Sequence, residues 1–420
     1  MIFAAGIDFG TTNTTAAIAG SDGLPQIVPL AGHSIIPTTM FFEKETNQFF
    51  WGDKANEKYI NAEEGRFLRS LKRVLGTDLM KVGTLINSKN QSYQAIIGAF
   101  IKNVKSEIDA AAGHILENVV MGRPVHFRDG DSLGDKRAES ELTEIAKIAG
   151  FKNVLFQYEP IAAAFAHERN LDAEQLAVVI DIGGGTSDFT ILRLGPERIG
   201  RTDRSDDIMA NTGIRIGGND FDKQLSLDAF MPEFGMGTLY GVSNKILPVP
   251  ISHYFDMSEW SRVNSLYTYK EINLVQRTLM SAHSPDKYGR LLDVIEKQMG
   301  HRVLNSVEDA KISLSDKDTV NIKLDFLSGE SDIFVTRAQF EKVIENQTIK
   351  ILTSVHECIN LASINPDAVG LIVLTGGSTM VPYIRNTLCN VFSNATVSDG
   401  DRMSSVGLGL ALDAGRRFKV

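Results

Sequence analysis

Two short motifs in this chain combine an aspartate with a turn of glycine and threonine, residue types that can hold phosphate and a metal ion. One covers residues 7–13 (Ile-Asp-Phe-Gly-Thr-Thr-Asn) and the other residues 180–188 (Ile-Asp-Ile-Gly-Gly-Gly-Thr-Ser-Asp). Glycine allows a positive φ and lets backbone N–H groups approach an anion, as in phosphate-binding nests. Aspartate provides the hard oxygen ligands that Mg²⁺ prefers. The repetition therefore predicts one site, built from two halves, for a nucleotide and its metal.

The residues after each motif indicate a β-hairpin. Residues 14–19 and 189–194 are short apolar or β-branched runs that lack the charged, 3.6-residue period of a helix. We therefore expect each turn to join two antiparallel strands. Two such hairpins, facing each other across a cleft, would grip the phosphates of one nucleotide, and the sequence predicts an ATP-driven clamp.

Length and composition fit a multidomain protein of ordinary globular type. The chain has 420 residues, of which 43% are hydrophobic and 23% charged, and about 150 residues per domain predicts two or three domains. The net charge of -9 argues against binding of nucleic acid, which requires a basic surface. Two cysteines favour a reducing compartment, and no apolar run reaches the roughly 18 residues of a membrane span. Since the chain also begins without a basic signal segment, we expect a cytoplasmic protein that binds no membrane.

Alternating strand and helix patterns predict an α/β fold with a sheet covered on both faces. Apolar spacing and proline positions predict helices over residues 93–108, 137–149, 159–169, 307–315 and 382–391. Buried strands are expected over residues 119–125 and 371–374, and the second of these leads into a third glycine turn at 375–379. The segment 231–300 is rich in Pro, Tyr, Trp and Ser, and is predicted to be irregular and peripheral.

The sequence lacks the motifs of several common binding and catalytic sites. There is no Gly-x-x-x-x-Gly-Lys-Ser/Thr loop of the Walker type and no Gly-x-Gly-x-x-Gly turn between a strand and a helix. The turn at residues 376–380 lacks the second glycine of a nucleophile elbow. The eight histidines are scattered and form no zinc-binding pattern. Nucleotide chemistry at the two aspartate turns remains.

Eight motifs, in the same order along the chain, resemble the nucleotide-binding domain of DnaK-type heat-shock chaperones. They lie at residues 8–13, 72–76, 123–129, 158–164, 181–188, 216–222, 308–311 and 375–379. The extra segment at 231–300 is most similar to the YegD-like branch of that family. The resemblance implies an actin-like fold with two lobes around an ATP cleft. Lobe I would cover residues 1–171, with a small subdomain at 38–94, and lobe II residues 172–420, with a small subdomain at 216–344.

By this resemblance, the two aspartate turns are phosphate loops. The first loop would consist of Gly10, Thr11, Thr12 and Asn13, and the second of Gly183, Gly184, Gly185 and Thr186. Asp8 and Asp181 would hold a Mg²⁺ ion through water, with Glu159 nearby. The implied cofactors are therefore ATP or ADP together with Mg²⁺.

The resemblance also implies the residues that hydrolyse ATP and receive its adenosine. Lys72 resembles the family's catalytic lysine, which orients the attacking water, and Thr186 and Asp188 would assist at that water. Pro124 resembles the proline that relays the nucleotide state. Three parts of the second half would contact adenosine, through Glu308, Lys311, Ser315, Gly217, Gly218, Gly376, Gly377 and Ser378. The first three of these are spaced by three and four residues, so they would project from one helix face.

Two departures from the family pattern concern the adenine base. The family places an arginine after Lys311 and another after the third glycine turn, whereas this chain has Ile312 and Met380. Both faces of the base pocket become aliphatic and lose cation–π contributions of about 0.5 to 2 kcal/mol. We therefore predict weaker or less selective binding of the base.

The sequence predicts an ATP-binding, slowly hydrolysing switch of the chaperone type. No interdomain linker and no β-rich peptide-binding domain follow the last helix, so we expect a nucleotide-binding domain alone, monomeric, with client proteins or co-chaperones as partners. Two other classes stay open. An actin-like filament protein shares the paired phosphate loops, and a small-molecule kinase of the same superfamily could use Asp188 as the base for a sugar hydroxyl.

Overall fold

Strands form where β-branched residues cluster, and helices form where apolar residues recur every three to four positions. The computed structural model describes residues 2–20, 24–61, 63–87, 89–128, 130–168, 171–242, 245–327, 332–398 and 404–418. Asp129, the last residue of the motif at 123–129, lies outside these ranges. The strands are β1 (Ile2–Phe9), β2 (Asn13–Gly20), β3 (Pro25–Ile27), β4 (Ile36–Pro37), β5 (Thr39–Glu43), β6 (Phe49–Trp51), β7 (Gly65–Arg69), β8 (Thr84–Ile86), β9 (Lys89–Gln91), β10 (Asn118–Arg123), β11 (Asn153–Tyr158), β12 (Gln175–Ile182), β13 (Ser187–Leu194), β14 (Ile208–Ile214), β15 (Leu239–Val242), β16 (Lys245–Pro248), β17 (Thr319–Lys323), β18 (Asp332–Thr336), β19 (Val369–Thr375) and β20 (Thr396–Val397).

The helices confirm most of the predicted helical segments. They are α1 (Asp53–Ile60), α2 (Leu79–Val82), α3 (Tyr93–Ala112), α4 (Ser132–Ala149), α5 (Glu159–Glu168), α6 (Gly218–Leu225), α7 (Ser252–Met257), α8 (Tyr269–Leu279), α9 (Pro285–Glu296), α10 (Gly300–Asp316), α11 (Arg337–Val343), α12 (Glu345–Ala362), α13 (Pro382–Cys389) and α14 (Ser405–Arg417). The helix predicted from residue 137 begins at Ser132, because the side chain of Asp131 accepts a hydrogen bond from Gly134 N and caps it.

Two mixed sheets have the same strand order and directions, and together they form the frame of the molecule. The first runs β11-β10-β1-β2-β3, with β4 also paired to β2, and the second runs β14-β13-β12-β19-β20. In each sheet an antiparallel hairpin, β1–β2 or β12–β13, is flanked by two parallel strands on the side of its first strand. The mixed α/β class and the duplicated plan therefore follow from the topology.

Both predicted hairpins are present, and their registers place the aspartates beside the turns. Asp8 pairs with Thr15 in the first hairpin, and Asp181 pairs with Asp188 in the second. The turn of the second hairpin is tight, since Gly183 N donates to Thr186 O at 3.0 Å. Each aspartate consequently lies at the end of its strand, where the turn brings its backbone N–H groups to the same edge of the sheet.

Three apolar cores hold these sheets together. One lies under the first sheet with α3 and α4, and a larger one lies under the second sheet with α10 and α12. The third core lies between the two sheets and includes Val120 from β10 and Val179 from β12, Ala163 from α5 and Leu410 from α14. The small side chains of α5 let this helix pack closely between the sheets, so α5 and α14 join the two halves of the chain.

The prediction that residues 231–300 are irregular and peripheral is wrong. The segment holds the hairpin β15–β16 and the helices α7, α8 and α9, and it ends where α10 begins. Its side chains Tyr254, Leu266, Tyr288 and Leu291 are fully buried in the larger core. Pro285, one of the residues that suggested a loop, lies in the first turn of α9, where its missing N–H has no cost.

Smaller sheets lie in the two segments predicted as inserted subdomains. The sheet β6-β5-β7 and the pair β8–β9 fall within residues 38–94, and the pairs β15–β16 and β17–β18 fall within residues 216–344. Within the described part of the chain, none of the helices combines the length and the hydropathy that a membrane crossing requires.

Candidate functional site

The two glycine turns face each other at a short distance. A Cβ placed on Gly184 would lie 2.9 Å from Thr12 Oγ1, so the second turn touches the first through its own backbone. Thr12 is fixed from the other side because its carbonyl accepts a hydrogen bond from Thr38 N at 2.7 Å. The N–H groups of both turns therefore border one space, as the duplicated motif predicts.

The second turn packs against two further glycine turns, at residues 217–218 and 376–378. Gly218 N donates to Gly183 O at 2.9 Å, Asn219 N donates to Gly184 O at 2.7 Å, and Ser378 Oγ donates to Gly183 O at 3.3 Å. A Cβ on Gly217 would lie only 2.7 Å from Gly183 O, so a larger residue cannot occupy this position without moving the turn. The structure thus brings together the turns at 183–186, 217–218 and 376–378.

Lys72 and Glu159 form an ion pair beside these turns. Lys72 lies in a single 3₁₀ turn, Leu71–Val74, and Glu159 is the first residue of α5. Their Nζ and Oε1 atoms are 2.5 Å apart, and the lysine side chain is buried. The loop that carries Lys72 is held through Gly76, whose N–H donates to Glu141 Oε2 at 2.7 Å. The ammonium group therefore has a fixed place in the cleft.

Several carboxylates surround the lysine and perturb one another. Loss of water raises the pKa of Asp8 to about 7 and that of Asp181 to about 8, and repulsion from Glu159 adds to both shifts. Asp188 contributes further to the shift of Asp181. Burial disfavours the charge on Lys72, yet Glu159 and Asp8 outweigh this effect and raise its pKa. The cluster thus carries more negative charge than its one ammonium neutralises.

This excess of negative charge is the environment that a divalent cation relieves. Two of the carboxylates, Asp8 and Asp181, lie at the ends of hairpin strands whose turns face each other. Across the described ranges, however, no three carboxylate, imidazole or thiol groups lie close enough to bind one metal together. The donors therefore fit a hydrated Mg²⁺ ion, which keeps several of its waters, better than a metal caged directly by side chains.

The predicted adenosine-binding residues lie on one side of the cleft and form a polar cluster. Lys311 Nζ is 2.8 Å from Asp222 Oδ2, and both side chains are buried. Burial raises the pKa of Asp222 to about 6, and Lys311 opposes this shift. A Cβ on Gly218 would lie 2.7 Å from Ser378 Oγ and 3.3 Å from Lys311 Nζ, so the glycine turns reach this cluster.

The other two predicted residues of α10, Glu308 and Ser315, lie on the same helix face as Lys311. Glu308 lines a cavity together with Thr11, Thr12 and Asn13 of the first turn. Ser315 is half-buried and donates to the carbonyl of Lys311 at 3.3 Å. The single-face arrangement predicted for these residues of α10 is therefore present.

Ile312 and Met380 are exposed, as expected of residues that would flank a bound base. The exposed fractions of the two residues are 57% and 45%. Exposed aliphatic groups of this size are compatible with an apolar pocket that is covered only when ligand binds.

The remaining predicted residues, Thr186, Asp188 and Pro124, lie near the second turn and at the end of β10. Thr186 lies in the second turn, and Asp188 is the exposed second residue of β13, which begins at Ser187. Pro124 follows β10, and its carbonyl accepts a hydrogen bond from Arg123 Nε at 3.2 Å. Arg123 also pairs with Asp135 on α4 at 2.9 Å. These contacts join the proline to α4, the helix that also holds the Lys72 loop.

Sequence reasoning missed three residues of this cleft. Asp222 belongs to a quoted motif, but nothing marked it as the partner of Lys311, which is 89 positions away. Arg69 and Trp260 line the cavity with the first turn, and the Arg69 guanidinium carbon lies 5.4 Å from the centre of the Trp260 ring. Arg69 could have been noticed as a cation three residues before Lys72, whereas no local sequence pattern indicated Trp260.

Comparisons with known proteins agree with the resemblance. A family model described as Hsp70 protein matches residues 4–247 and 283–416. The chain is 27% identical over 424 aligned positions to the chaperone protein DnaK of Thermotoga neapolitana. It is 26% identical to the chaperone proteins DnaK of Thermotoga petrophila and Thermotoga maritima. Each alignment covers 98% of this chain and 59% of the relative, so the chain spans about three-fifths of the length of these relatives.

Proposed function

Because the chain belongs to the Hsp70 family, which implies an actin-like ATPase fold, we propose that it is an ATP-binding, slowly hydrolysing switch of the chaperone type. One observation carries the proposal: the Lys72–Glu159 ion pair lies beside two facing glycine turns, each preceded by an aspartate. This combination supplies phosphate donors, a metal site and a fixed cation in one cleft. Catalysis there needs positioning and electrostatics rather than a covalent intermediate.

The two turns bind the phosphate chain from opposite sides. Backbone N–H groups of residues 10–13 and 184–186 lie beside the contact of Thr12 with Gly184, and their dipoles favour an anion there, while the N–H of Gly183 closes its own turn. Asp8 and Asp181 would hold a hydrated Mg²⁺ ion, which would supply positive charge to screen the phosphates. Glu159 accepts from Lys72 and lies close enough to contribute to the same charge cluster.

Lys72 is the residue that acts directly on the reaction. Its ammonium group orients the attacking water and offsets the charge that develops on the γ-phosphate. Thr186 and Asp188 lie at the end of the second turn, where they can hold that water. Glu159 keeps the lysine side chain in one position, because the two groups form a short ion pair inside the protein.

Adenosine binds on the side of the cleft formed by α10 and the two remaining glycine turns. Glu308, Lys311 and Ser315, which share one face of α10, contact the adenosine. The turns at 217–218 and 376–378 form the wall behind them, since both pack against Gly183. Asp222 fixes the Lys311 side chain through their ion pair.

The same site defines two lobes that nucleotide would hold together. Residues 1–171 carry the first sheet and turn, and residues 172–420 carry the second. A ligand that touches both turns favours the closed arrangement, and about 5.5 kcal/mol of preference shifts a closed state from 1:99 to 99:1. This closure would be read by client proteins or co-chaperones, and we expect the protein itself to be monomeric and cytoplasmic.

Nucleotide binding and single-turnover hydrolysis test this function. We expect calorimetry to detect ATP and ADP binding in the presence of Mg²⁺, and we expect bound ATP to be hydrolysed slowly without any added substrate. Hydrolysis that requires a sugar would indicate a kinase, and a rise in light scattering on addition of ATP would indicate a filament. Either result would contradict the proposal, and so would absence of nucleotide binding.

Arginine at positions 312 and 380 is expected to tighten ATP binding. The Ile312→Arg and Met380→Arg double variant restores two cations beside the base, and each exposed cation–π contact contributes about 0.5 to 1 kcal/mol. We therefore expect the calorimetric Kd for ATP to fall by roughly fivefold to thirtyfold. Ile349→Arg is the control, because Ile349 has a similar exposed fraction of 53% but lies on α12. An unchanged Kd in the double variant would contradict the aliphatic base pocket.

A further inference from the structure

The cavity above the first phosphate turn is bordered by residues from both halves of the chain. Its volume is about 110 Å³, and its lining includes Thr11, Thr12, Arg69, Trp260 and Glu308. Arg69 ends β7, and Trp260 lies in the stretch 248–282 that the family model does not match. This part of the cleft is therefore built partly from a segment outside the match to the family model.

Arg69 has a charge with no direct partner in this cavity. Within the described ranges, its guanidinium forms no hydrogen bond and no ion pair, although Glu308 and Asp222 attract it from a greater distance. Burial lowers its pKa from the usual value, which for an arginine still leaves the group charged. A partly buried cation that lacks an ion-pair partner is costly, and a bound anion would remove that cost.

Trp260 holds the guanidinium over the cavity. The Arg69 Cζ atom lies 5.4 Å from the centre of the Trp260 ring, within the range of a cation–π contact. Trp260 is in turn stacked with His301, whose ring centre lies 5.9 Å away at an interplanar angle of 19°. Stacking leaves the N–H edges of an arginine free, so Arg69 can still donate to a ligand while Trp260 fixes its plane.

An aromatic array anchors this arrangement on both sides of the cleft. Tyr59 stacks on Phe67, with ring centres 4.0 Å apart, and its other face meets His301 at 3.9 Å. Asn264 Nδ2 also donates to Tyr59 Oη at 3.1 Å. Phe67 lies two residues before Arg69 on β7 and so on the same face of the strand. The array therefore fixes the strand that carries Arg69 relative to the segment that carries Trp260.

We propose that Arg69, held in place by Trp260, binds the phosphate chain of the nucleotide. The inference rests on the proposed nucleotide site and adds a phosphate-binding residue to it. Arg69 shares its cavity with Thr12 of the first phosphate turn and with Glu308 of the adenosine side. It therefore reaches the part of the phosphate chain nearest the sugar, and its effect appears with ADP as well as ATP. A guanidinium suits this role because its N–H groups can contact two phosphate oxygens at once.

Binding of ADP and of adenosine to Arg69 variants tests this role. We expect Arg69→Gln to weaken ADP binding by roughly tenfold or more, as loss of a charge-assisted hydrogen bond does, and to leave adenosine binding unchanged. Adenosine affinity is measured by competition against a fluorescent ADP analogue. Arg69→Lys keeps the charge without the planar donor, so its ADP affinity is expected to lie between those of the wild type and the glutamine variant. Melting temperatures of all variants check that the fold is intact.

Arg66→Gln is the matched control for the loss of one positive charge. Arg66 lies on the same strand but on the opposite face, where it is exposed and donates to Thr84 Oγ1 at 3.4 Å. We expect this variant to bind ADP like the wild type. Equal losses of ADP and adenosine affinity in Arg69→Gln would overturn the phosphate contact, and so would unchanged ADP affinity. A wild-type protein that binds neither ATP nor ADP would instead overturn the proposed function, and this proposal with it.

Trp260 fluorescence provides a readout that is independent of hydrolysis. The chain has two tryptophans, and Trp51 lies 5.6 Å from Phe100 in the first core, so Trp51→Phe isolates the emission of Trp260. In that background we expect ADP to change the Trp260 emission with the same Kd that calorimetry gives, and adenosine to leave it unchanged. We expect Arg69→Gln to abolish the ADP response. An ADP response that persists in Arg69→Gln would overturn the coupling between the two residues.

Discussion

Replacing Lys72 with alanine is expected to slow single-turnover hydrolysis of bound ATP by at least about 100-fold. The reason is that Lys72 places its ammonium group among the carboxylates beside the two phosphate turns, with its Nζ atom 2.5 Å from Glu159 Oε1. A fixed donor at a site of developing charge contributes roughly 100-fold to 1,000-fold to a reaction rate, since it needs no rearrangement in the transition state. Rapid mixing with one equivalent of ATP measures the effect.

ATP binding should suffer much less than hydrolysis in this variant. The phosphate turns, the metal site and the adenosine contacts all remain, so we expect the calorimetric Kd to rise by less than about tenfold. A lysine that merely supported the fold would change both quantities together, because the whole site would be disturbed. The separation of rate from affinity therefore identifies Lys72 as a residue that acts in the transition state.

Arg73→Ala is the matched control for Lys72→Ala. Arg73 is the next residue of the same 3₁₀ turn, carries the same charge and points into solvent. We expect its hydrolysis rate to stay within about twofold of the wild type, because an exposed charge is screened by water and salt. A hydrolysis rate of Lys72→Ala within threefold of the wild type would contradict the role of the lysine. The protein would then bind nucleotide without using Lys72 as a catalytic residue.

The parts of the site that depend on local sequence could be predicted. Each hairpin needs only a glycine turn and two flanking apolar strands, all within about twenty consecutive residues, and both hairpins are present with the aspartates at the strand ends. Duplication of the motif also predicted that the turns would meet, and Gly184 lies against Thr12. These features need no knowledge of distant contacts beyond the assumption that both copies serve one ligand.

Pairs that are distant in sequence could not be predicted from residue patterns. Lys72 and Glu159 are 87 positions apart, and Lys311 and Asp222 are 89 positions apart. Nothing local distinguishes a buried lysine of this kind from an exposed one, so the family resemblance alone singled out Lys72. It could not single out Arg69 or Trp260, because their contact depends on how two separate segments meet across the cleft.

The segment 231–300 shows how composition can mislead. Tyrosine, tryptophan, proline and serine suggested an irregular elaboration, but Tyr254 and Tyr288 are fully buried in the larger core, and Pro285 occupies the helix position where a missing N–H has no cost. The apolar residues of α9, including Leu291 and Val294, are spaced as one buried helix face. That periodicity was the better signal, since burial depends on the face of a helix and not on average composition.

Removal of Arg204 is expected to destabilise the protein by about 3 to 5 kcal/mol, because it would leave the buried carboxylate of Glu168 without its cation, while Asp207 still pairs with Arg198. Arg204 is fully buried, lies 2.7 Å from Glu168 Oε1 and also pairs with Asp207. Glu168 is the last residue of α5, and Gly195 N donates to its Oε1 at 3.0 Å. The cluster thus ties the end of α5 to the second sheet.

Loss of this cluster is expected to affect the catalytic site as well, because Glu159 is the first residue of the same helix, α5. We expect urea unfolding of Arg204→Met to show the loss of stability, and we expect hydrolysis by the folded fraction to fall because the partner of Lys72 is less firmly placed. Lys44→Met is the control: Lys44 pairs with Glu64 at 2.8 Å, but both side chains are mostly exposed, so its loss should cost less than about 1 kcal/mol. A free energy of unfolding for Arg204→Met that matches the control would contradict the anchoring of α5. A large loss of stability with unchanged hydrolysis would confine the cluster to folding and separate it from the site at the other end of the helix.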